Sequence, residues 1–553
     1  MEETPAVRGH DRAIKHSFWL VVVLASLLSF PSLNRAFYTR GEPREALVAQ
    51  SMLATGNWIS PPAYNGAVPS KPPFSHWLIA LASLPGGEVT ESTARLPSAV
   101  AYVLFCAAFF LFVARRAGAS TGVVASGILL SSVEWLRSGS TCRVDTILAT
   151  SISGALLALF CWQEEGRRGV PWLALALLSA AALTKGPVGI VLPLGIFSLY
   201  RLLAEGAGLR PVARVAASAL ILAAPVLVVA SLWYVAGYLA RGDDFLAKVW
   251  YENVERFAGT MADEPHKHSV AYLLGMLILM LLPWSLAWLV ALARGAGLRR
   301  VLKSPLTVWR ELSDLERFSL LSATCIVLFF CIPSSKRSVY LLPAYPFVAL
   351  LAALWLSRWE ERVAGLLRML SLVACVLCTL LPAVSLGLLV WPSAFSVPWF
   401  PSALWAAVGP MKVVLVVAGL AAVWKLTEAQ ASERLAVRVV ACAAIAGITV
   451  VDAGMFRISP QQWLASPAFV DAVKPEGRER LYSFGSEAYA ASFYLKKPFF
   501  GATRDMPAGS AIFVERKNLE RFRSEFGGQV RELSSYSSGL EGKRETVVVE
   551  WAP

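Results

Sequence analysis

Apolar runs of about twenty residues recur along this chain, and a run of that length is suited to crossing a bilayer. They fit near 18–30, 96–114, 121–136, 144–162, 171–184, 187–203, 213–239, 269–293, 317–333, 338–357, 364–391, 404–425 and 435–456. The expected fold class is mainly α, a polytopic membrane protein of about thirteen transmembrane helices. A soluble fold has too little interior for a chain of 553 residues that is 56% hydrophobic. The first run, Phe18 to Phe30, follows a polar, basic segment and lacks a small-residue cleavage site after it, so it reads as an uncleaved span that starts on the cytoplasmic side.

Charge tests that topology. Arg115-Arg116, Arg167-Arg168, Arg201 with Arg210 and Arg214, Arg294 with Arg299, Arg300 and Lys303, and Arg358 with Arg362 fall in alternate loops, as does Lys425 with Arg434. Basic residues in alternate loops mark the cytoplasmic face. The net charge of +13 is thereby used for topology, lipid and phosphate, and nucleic acid is not an expected partner. The eight cysteines lie in or beside apolar segments, and the Cys375/Cys378 pair has no second pair or nearby His to make a metal site.

The opposite loops carry charges of both signs. The longest polar interruption near the N-terminus, Tyr38 to Trp77, holds Glu42, Arg44, Glu45 and Lys71 among prolines. Arg143 and Asp145 open a span in TCRVDTIL, and Lys185 sits between two spans in ALTKGPVG. Lys336, Arg337 and Tyr340 lie in SSKRSVYLLPAYP. One such residue at a span end is most simply an interfacial anchor. Five groups on one face form a different pattern. Arg and Lys suit phosphate, one by a bidentate fork and the other as a point charge, and a nearby carboxylate suits a general base. His266-Lys267-His268 is either a divalent-metal ligand set or a pair of solvated loop histidines. Neither GxGxxG nor GxxxxGK[ST] occurs, so nothing points to ATP or a dinucleotide. From about 457 the composition changes. RLYSF, SAIFVER and RETVVVEW alternate with SEAYAASFYL and NLERFRSEFG, the pattern of a small external α/β domain.

The segments GEPREALVAQSMLATGNWISP, SKPP, ARLPSA, CRVD, LTKGP, YENVERFAG, HKHS with LPWS, and SKRSVYLLPAYP lie in the order and membrane setting of a known group. The chain resembles the GT-C superfamily of polyprenyl-phosphate-dependent glycosyltransferases, and within it the bacterial aminoarabinose–lipid A transferases and relatives of the protein O-mannosyltransferases. The resemblance implies a GT-C transmembrane domain over 1–456, whose first external loop (34–95) carries an acid, and a periplasmic domain over 457–553. It implies a bacterial inner-membrane enzyme that moves a sugar, with inversion, from a polyprenyl (undecaprenyl) phosphate donor to lipid A, another envelope glycan or a protein. Glu42 would be the catalytic acid-loop carboxylate, with Asp145 next in line. Arg44, Lys71, Lys185, Lys336 and Arg337 would hold phosphate, Arg143 and Tyr340 would shape the pocket, and His266 would be a metal ligand. The sequence departs from the group at Gly41 and Ser70, where acids are usual. Two other functions share the spans and the basic face: a flippase for lipid-linked sugars, and a scaffold that has lost catalysis.

Overall fold

The computed structural model describes residues 5–358 and 481–552, apart from 38, 40, 63–70, 207, 256–267, 283, 287–288, 290–302, 486–488, 497–498 and 539–543. The expected spans over 364–456, and the boundary at 456/457, lie outside the described residues. The described part is mainly helical, with one small sheet. Among the described residues six helices are long and apolar enough to cross a membrane: Asp11–Ser32, Glu91–Ser131, Val144–Glu164, Val188–Glu205, Leu209–Arg241 and Ser338–Leu356.

Helix α1 (Pro5–Ser29) packs on α4 (Glu91–Ser131). Two shorter helices lie between them in the chain, α2 (Gly41–Thr55) and α3 (Phe74–Ser83). At 41 residues α4 is too long for one crossing. It breaks at Gly118, whose φ of +87° belongs to the region that side chains avoid. A β-carbon at Gly122 would stand 3.0 Å from both Ala114 and Phe110, so the limb after the break returns along the limb before it. The expected span near 96–114 lies in the first limb, and the one near 121–136 begins in the second but runs past its end at Ser131, with Arg115 and Arg116 beside the reversal.

After α5 (Val133–Gly139), α6 (Val144–Glu164) and α7 (Trp172–Lys185) pack together, and α8 (Val188–Glu205) and α9 (Leu209–Arg241) follow. A short α10 (Asp243–Trp250) continues into one π-helical turn, Tyr251–Glu255. Later come the helix Asp314–Cys331, a 3₁₀ segment Ser338–Ala344 and the helix Tyr345–Arg358. The main core draws on α1, α4, α6 and these last helices. Phe318 packs 4.7 Å from Phe160 and 5.1 Å from Tyr200, between ring centroids.

The C-terminal part is a five-stranded sheet in the order β2-β1-β3-β5-β4, from β1 (Leu481–Phe484), β2 (Phe499–Gly501), β3 (Ser510–Glu515), β4 (Gln529–Ser538) and β5 (Arg544–Ala552). β1 runs parallel to β2 and β3, and β5 is antiparallel to β3 and β4. Alternation along β3 serves two faces. Ala511 and Phe513 meet Ala491 of the helix Tyr489–Leu495, while Ile512 and Val514 share a core with Leu519 and Phe522 of the helix Leu519–Phe526.

This domain is docked on the first loop. The helix Tyr489–Leu495 packs against α2, and Phe493 and Tyr494 join the core of Phe37, Ala46, Ala49 and Met52. The Phe37 amide donates to Tyr494 Oη at 2.8 Å.

Candidate active site

The two acids at the start of α2 have different neighbours. Glu42 is fully buried. Its Oε1 accepts from Arg95 Nε at 2.7 Å and from the Cys142 amide at 3.2 Å, and its Oε2 accepts from the Thr39 amide at 3.1 Å and the Thr39 hydroxyl at 3.3 Å. Arg95, equally buried, donates onward to the carbonyls of Ser32 at 2.8 Å, Leu33 at 3.2 Å and Ala36 at 3.1 Å, and also to that of Arg35. This ion pair ties the end of α1, the start of α2, the head of α4 and the turn before α6 into one block. A buried pair of this kind survives because its remaining polar atoms are satisfied.

Glu45 stands one turn further on. Its Oε1 accepts from Lys71 Nζ at 2.6 Å and Arg44 Nη2 at 2.7 Å, and Oε2 lies 2.7 Å from His76 Nε2. Burial pushes its carboxyl up, but Lys71, Arg44 and the His76 hydrogen bond outweigh that and hold it well below the usual carboxylate range. Burial lowers the Lys71 ammonium, Glu45 opposes that, and the net shift is downward.

A second acid–lysine pair lies beside the first. α6 and α7 pack together, and the first turn of α6 meets the last turn of α7. Asp145 therefore meets Lys185 at 2.6 Å. Each charge also suits its helix end, acid at the N-terminus and base at the C-terminus. Lys185 Nζ sits 4.5 Å from the centroid of the Tyr340 ring. The Lys71 and Arg337 charges act on Asp145 from nearby.

Lys71, Lys185, Tyr340, Ser335, Glu252 and Asn253 share one cavity of about 350 Å³, whose other walls include Phe329, Phe330, Val188 and Val191. Two lysines in a wall that also has an apolar side of Phe329, Phe330, Val188 and Val191 can take a phosphate attached to a hydrocarbon chain. The opening loop is tied to α9 near the site: Trp233 Nε1 donates to the Ile59 carbonyl at 2.9 Å and Arg241 Nη2 to that of Ser60 at 3.0 Å.

Of the residues singled out from sequence, the cavity gathers Lys71, Lys185 and Tyr340 in its wall, with Asp145 paired to Lys185. Arg44 donates to Glu45. Arg143 lies 3.9 Å from Glu134, and the buried Lys336 donates to the Pro333 carbonyl at 2.5 Å, so neither lines the cavity. Glu42 faces Arg95 instead of the cavity. His266 lies outside the described residues, and among the described residues no three His, Cys, Asp or Glu side chains form a metal-binding group. Sequence reasoning passed over His76 and Arg95, gave Glu45 no role of its own, and read Glu252 as an acid that caps or solvates a loop helix ahead of one that touches substrate. The one available signal for Arg95 was a guanidinium in the first turns of a long apolar helix, where a charge needs a partner.

The model of the family described as dolichyl-phosphate-mannose-protein mannosyltransferase matches residues 70–234, which includes Lys71, Asp145 and Lys185. A crystal structure of ArnT from Cupriavidus metallidurans bound to undecaprenyl phosphate superposes with a TM-score of 0.67 at 22% identity, covering 96% of this chain and 97% of that one. The chain has the GT-C fold. It resembles the ArnT and protein-mannosyltransferase group of that superfamily. The undecaprenyl phosphate-alpha-4-amino-4-deoxy-L-arabinose arabinosyl transferase of Shewanella sediminis is 28% identical over 360 residues, 63% of this chain and 61% of that protein. An uncharacterized protein of Aquifex aeolicus is 29% identical over 370 residues, 66% of this chain and 68% of that protein. The alignment to the transferase thus spans about three fifths of its length. With its apolar helices, this GT-C chain is a multi-pass membrane protein.

Proposed function

We propose that this protein is a membrane glycosyltransferase that moves a sugar from a polyprenyl-phosphate donor to an envelope acceptor, with inversion. The observation that carries the reading is the cavity in which Lys71 and Lys185 share one wall with Tyr340, each lysine paired to a carboxylate. In this reading the lysines take the donor phosphate and the apolar walls take the first isoprene units. An acceptor hydroxyl attacks the anomeric carbon on the face opposite the phosphate. The new C–O bond forms as the bond from that carbon to the phosphate oxygen breaks, and the electron pair leaves with polyprenyl phosphate. Asp145 accepts the hydroxyl proton. Arrival of the phosphate gives Lys185 a second anion, loosens its hold on Asp145 and raises the carboxylate's proton affinity. Glu45 holds Lys71 in place, and Glu42 braces the loop. The relatives' donor, an undecaprenyl phosphate ester of an aminopentose, is the first donor to try, with lipid A, glycan and protein hydroxyls as acceptors. We place the enzyme in a bacterial inner membrane with about thirteen spans, the N-terminus cytoplasmic and the C-terminal domain periplasmic.

Reconstituted protein tests this with carrier-linked sugars. Asp145→Asn should bind undecaprenyl phosphate within a few-fold of wild type and lose transfer by about a hundredfold or more. Full activity in that variant would move the base elsewhere. Wild-type protein that flips a carrier-linked sugar without transferring it would replace the reading with transport.

A further inference from the structure

Beside the phosphate cavity lies a second one of about 590 Å³, and the two share Pro187 and Asn253. The second also has Tyr234, Trp250 and Glu255 in its wall. Three observations give it a polar floor. The Tyr234 hydroxyl is buried with no hydrogen-bond partner among the described residues. Asn253 is held by its amide, which donates to the Val249 carbonyl at 2.9 Å, so its Oδ1 is fixed. Gly186 lets both atoms close on its backbone: a β-carbon there would stand only 2.9 Å from Tyr234 Oη and 3.0 Å from Asn253 Oδ1. The φ of Gly186, +77°, further disfavours any larger residue.

A buried phenol usually has a partner. Here an unpaired phenol and an amide oxygen lie together in the wall of one cavity, next door to the lysines. An isoprenoid chain has no polar atom to offer them. A sugar has hydroxyls for both, and its C–H face suits the Trp250 ring. Glu255 adds an acceptor that favours groups rich in N–H or O–H. The geometry points to a sugar-binding subsite: Tyr234 and Asn253 recognise the sugar of a phosphate-linked donor whose phosphate rests on Lys71 and Lys185. This rests on the reading of the phosphate cavity given above.

The test compares bare undecaprenyl phosphate with its esters of a neutral hexose, a neutral pentose and an aminopentose, by equilibrium binding to the full-length protein in nanodiscs. Wild type should bind at least one ester more tightly than the bare lipid. Tyr234→Phe and Asn253→Ala, checked for unchanged thermal unfolding, should each weaken that ester by about five- to tenfold. Both should bind the bare lipid within twofold of wild type. Equal weakening of bare lipid and ester would show that the cavity holds hydrocarbon and overturn the proposal. So would unchanged binding of every ester, or a wild type that favours none of them. Lys71→Ala should weaken the bare lipid and the esters alike. If it binds both as wild type does, the phosphate reading falls by itself, whatever the Tyr234 variant does.

Discussion

Arg95 and Glu42 form a fully buried ion pair, and Lys71 and Glu45 a nearly buried one, and the two should fail in different ways when broken. Removing one partner of a buried pair strands a charge, at about 3–5 kcal/mol. Arg95→Met should therefore lower thermal stability by that amount, and the double variant Glu42→Leu/Arg95→Met should cost less than the sum of the singles. Glu42→Gln belongs to the same series: transfer lost at unchanged stability would return Glu42 to the chemistry. Lys71 titrates below an ordinary lysine, because burial disfavours its charge more than Glu45 favours it. It is cationic below its own pKa and neutral above, so lipid-phosphate affinity should fall as pH rises through that value. Glu45→Gln removes the opposing anion and should move this alkaline limb to lower pH. An unmoved limb would separate Lys71 from phosphate binding. The residues alone kept both acids in view, and only the resemblance singled out Glu42, whereas Glu45 is the one beside Lys71. They lie three residues apart and are neighbours on one helix, so helical periodicity assigns them alike. What distinguishes them is an arginine 53 residues away and a lysine 26 residues away, which only the tertiary fold brings in.

Among the elements, those built from strong patterns were legible. The two limbs of α4 follow from two apolar runs with Arg115-Arg116 between them, and Gly118 makes the reversal. β1, β3 and β5 and the two helices of the C-terminal domain lie where alternation and amphipathic spacing put them. The missed strands, β2 and β4, are the two edges of the sheet. β2 is three residues long, and β4, QVRELSSYSS, is largely polar. Edge strands are kept short or polar because an apolar edge invites further pairing, which removes the signal by which strands are read. The helix Tyr489–Leu495 has a second task, since Tyr494 takes the Phe37 amide and the Phe37 ring lies 5.1 Å from the Arg95 guanidinium carbon. Tyr494→Phe leaves that amide without its acceptor and should cost about 1–3 kcal/mol. Hydrogen exchange should quicken at Phe37 and the start of α2 while β3 and β5 keep their protection. Uniform quickening of the sheet would instead mean that the domain itself had loosened.

For the whole molecule, contact joins parts that are far apart in the chain. The C-terminal domain touches the first loop through Tyr494 and through Lys496, 2.5 Å from Glu88, so both lie on one side of the membrane. In a background lacking the eight native cysteines, a membrane-impermeant maleimide should label Asp505→Cys in intact cells and leave Arg168→Cys unlabelled until the cells are opened. The reverse pattern would invert the topology. The docking of Tyr494 on Phe37 also has a consequence in time. The loop that carries Glu42 and Glu45 leaves the ribosome early, but the residue that closes its core comes more than four hundred positions later. A chain cut short during synthesis can insert its first spans and still present an unfinished site. Domains fold as the chain emerges, and here a late one completes an early one, so a copy stopped before Tyr494 would lack part of the first loop's core.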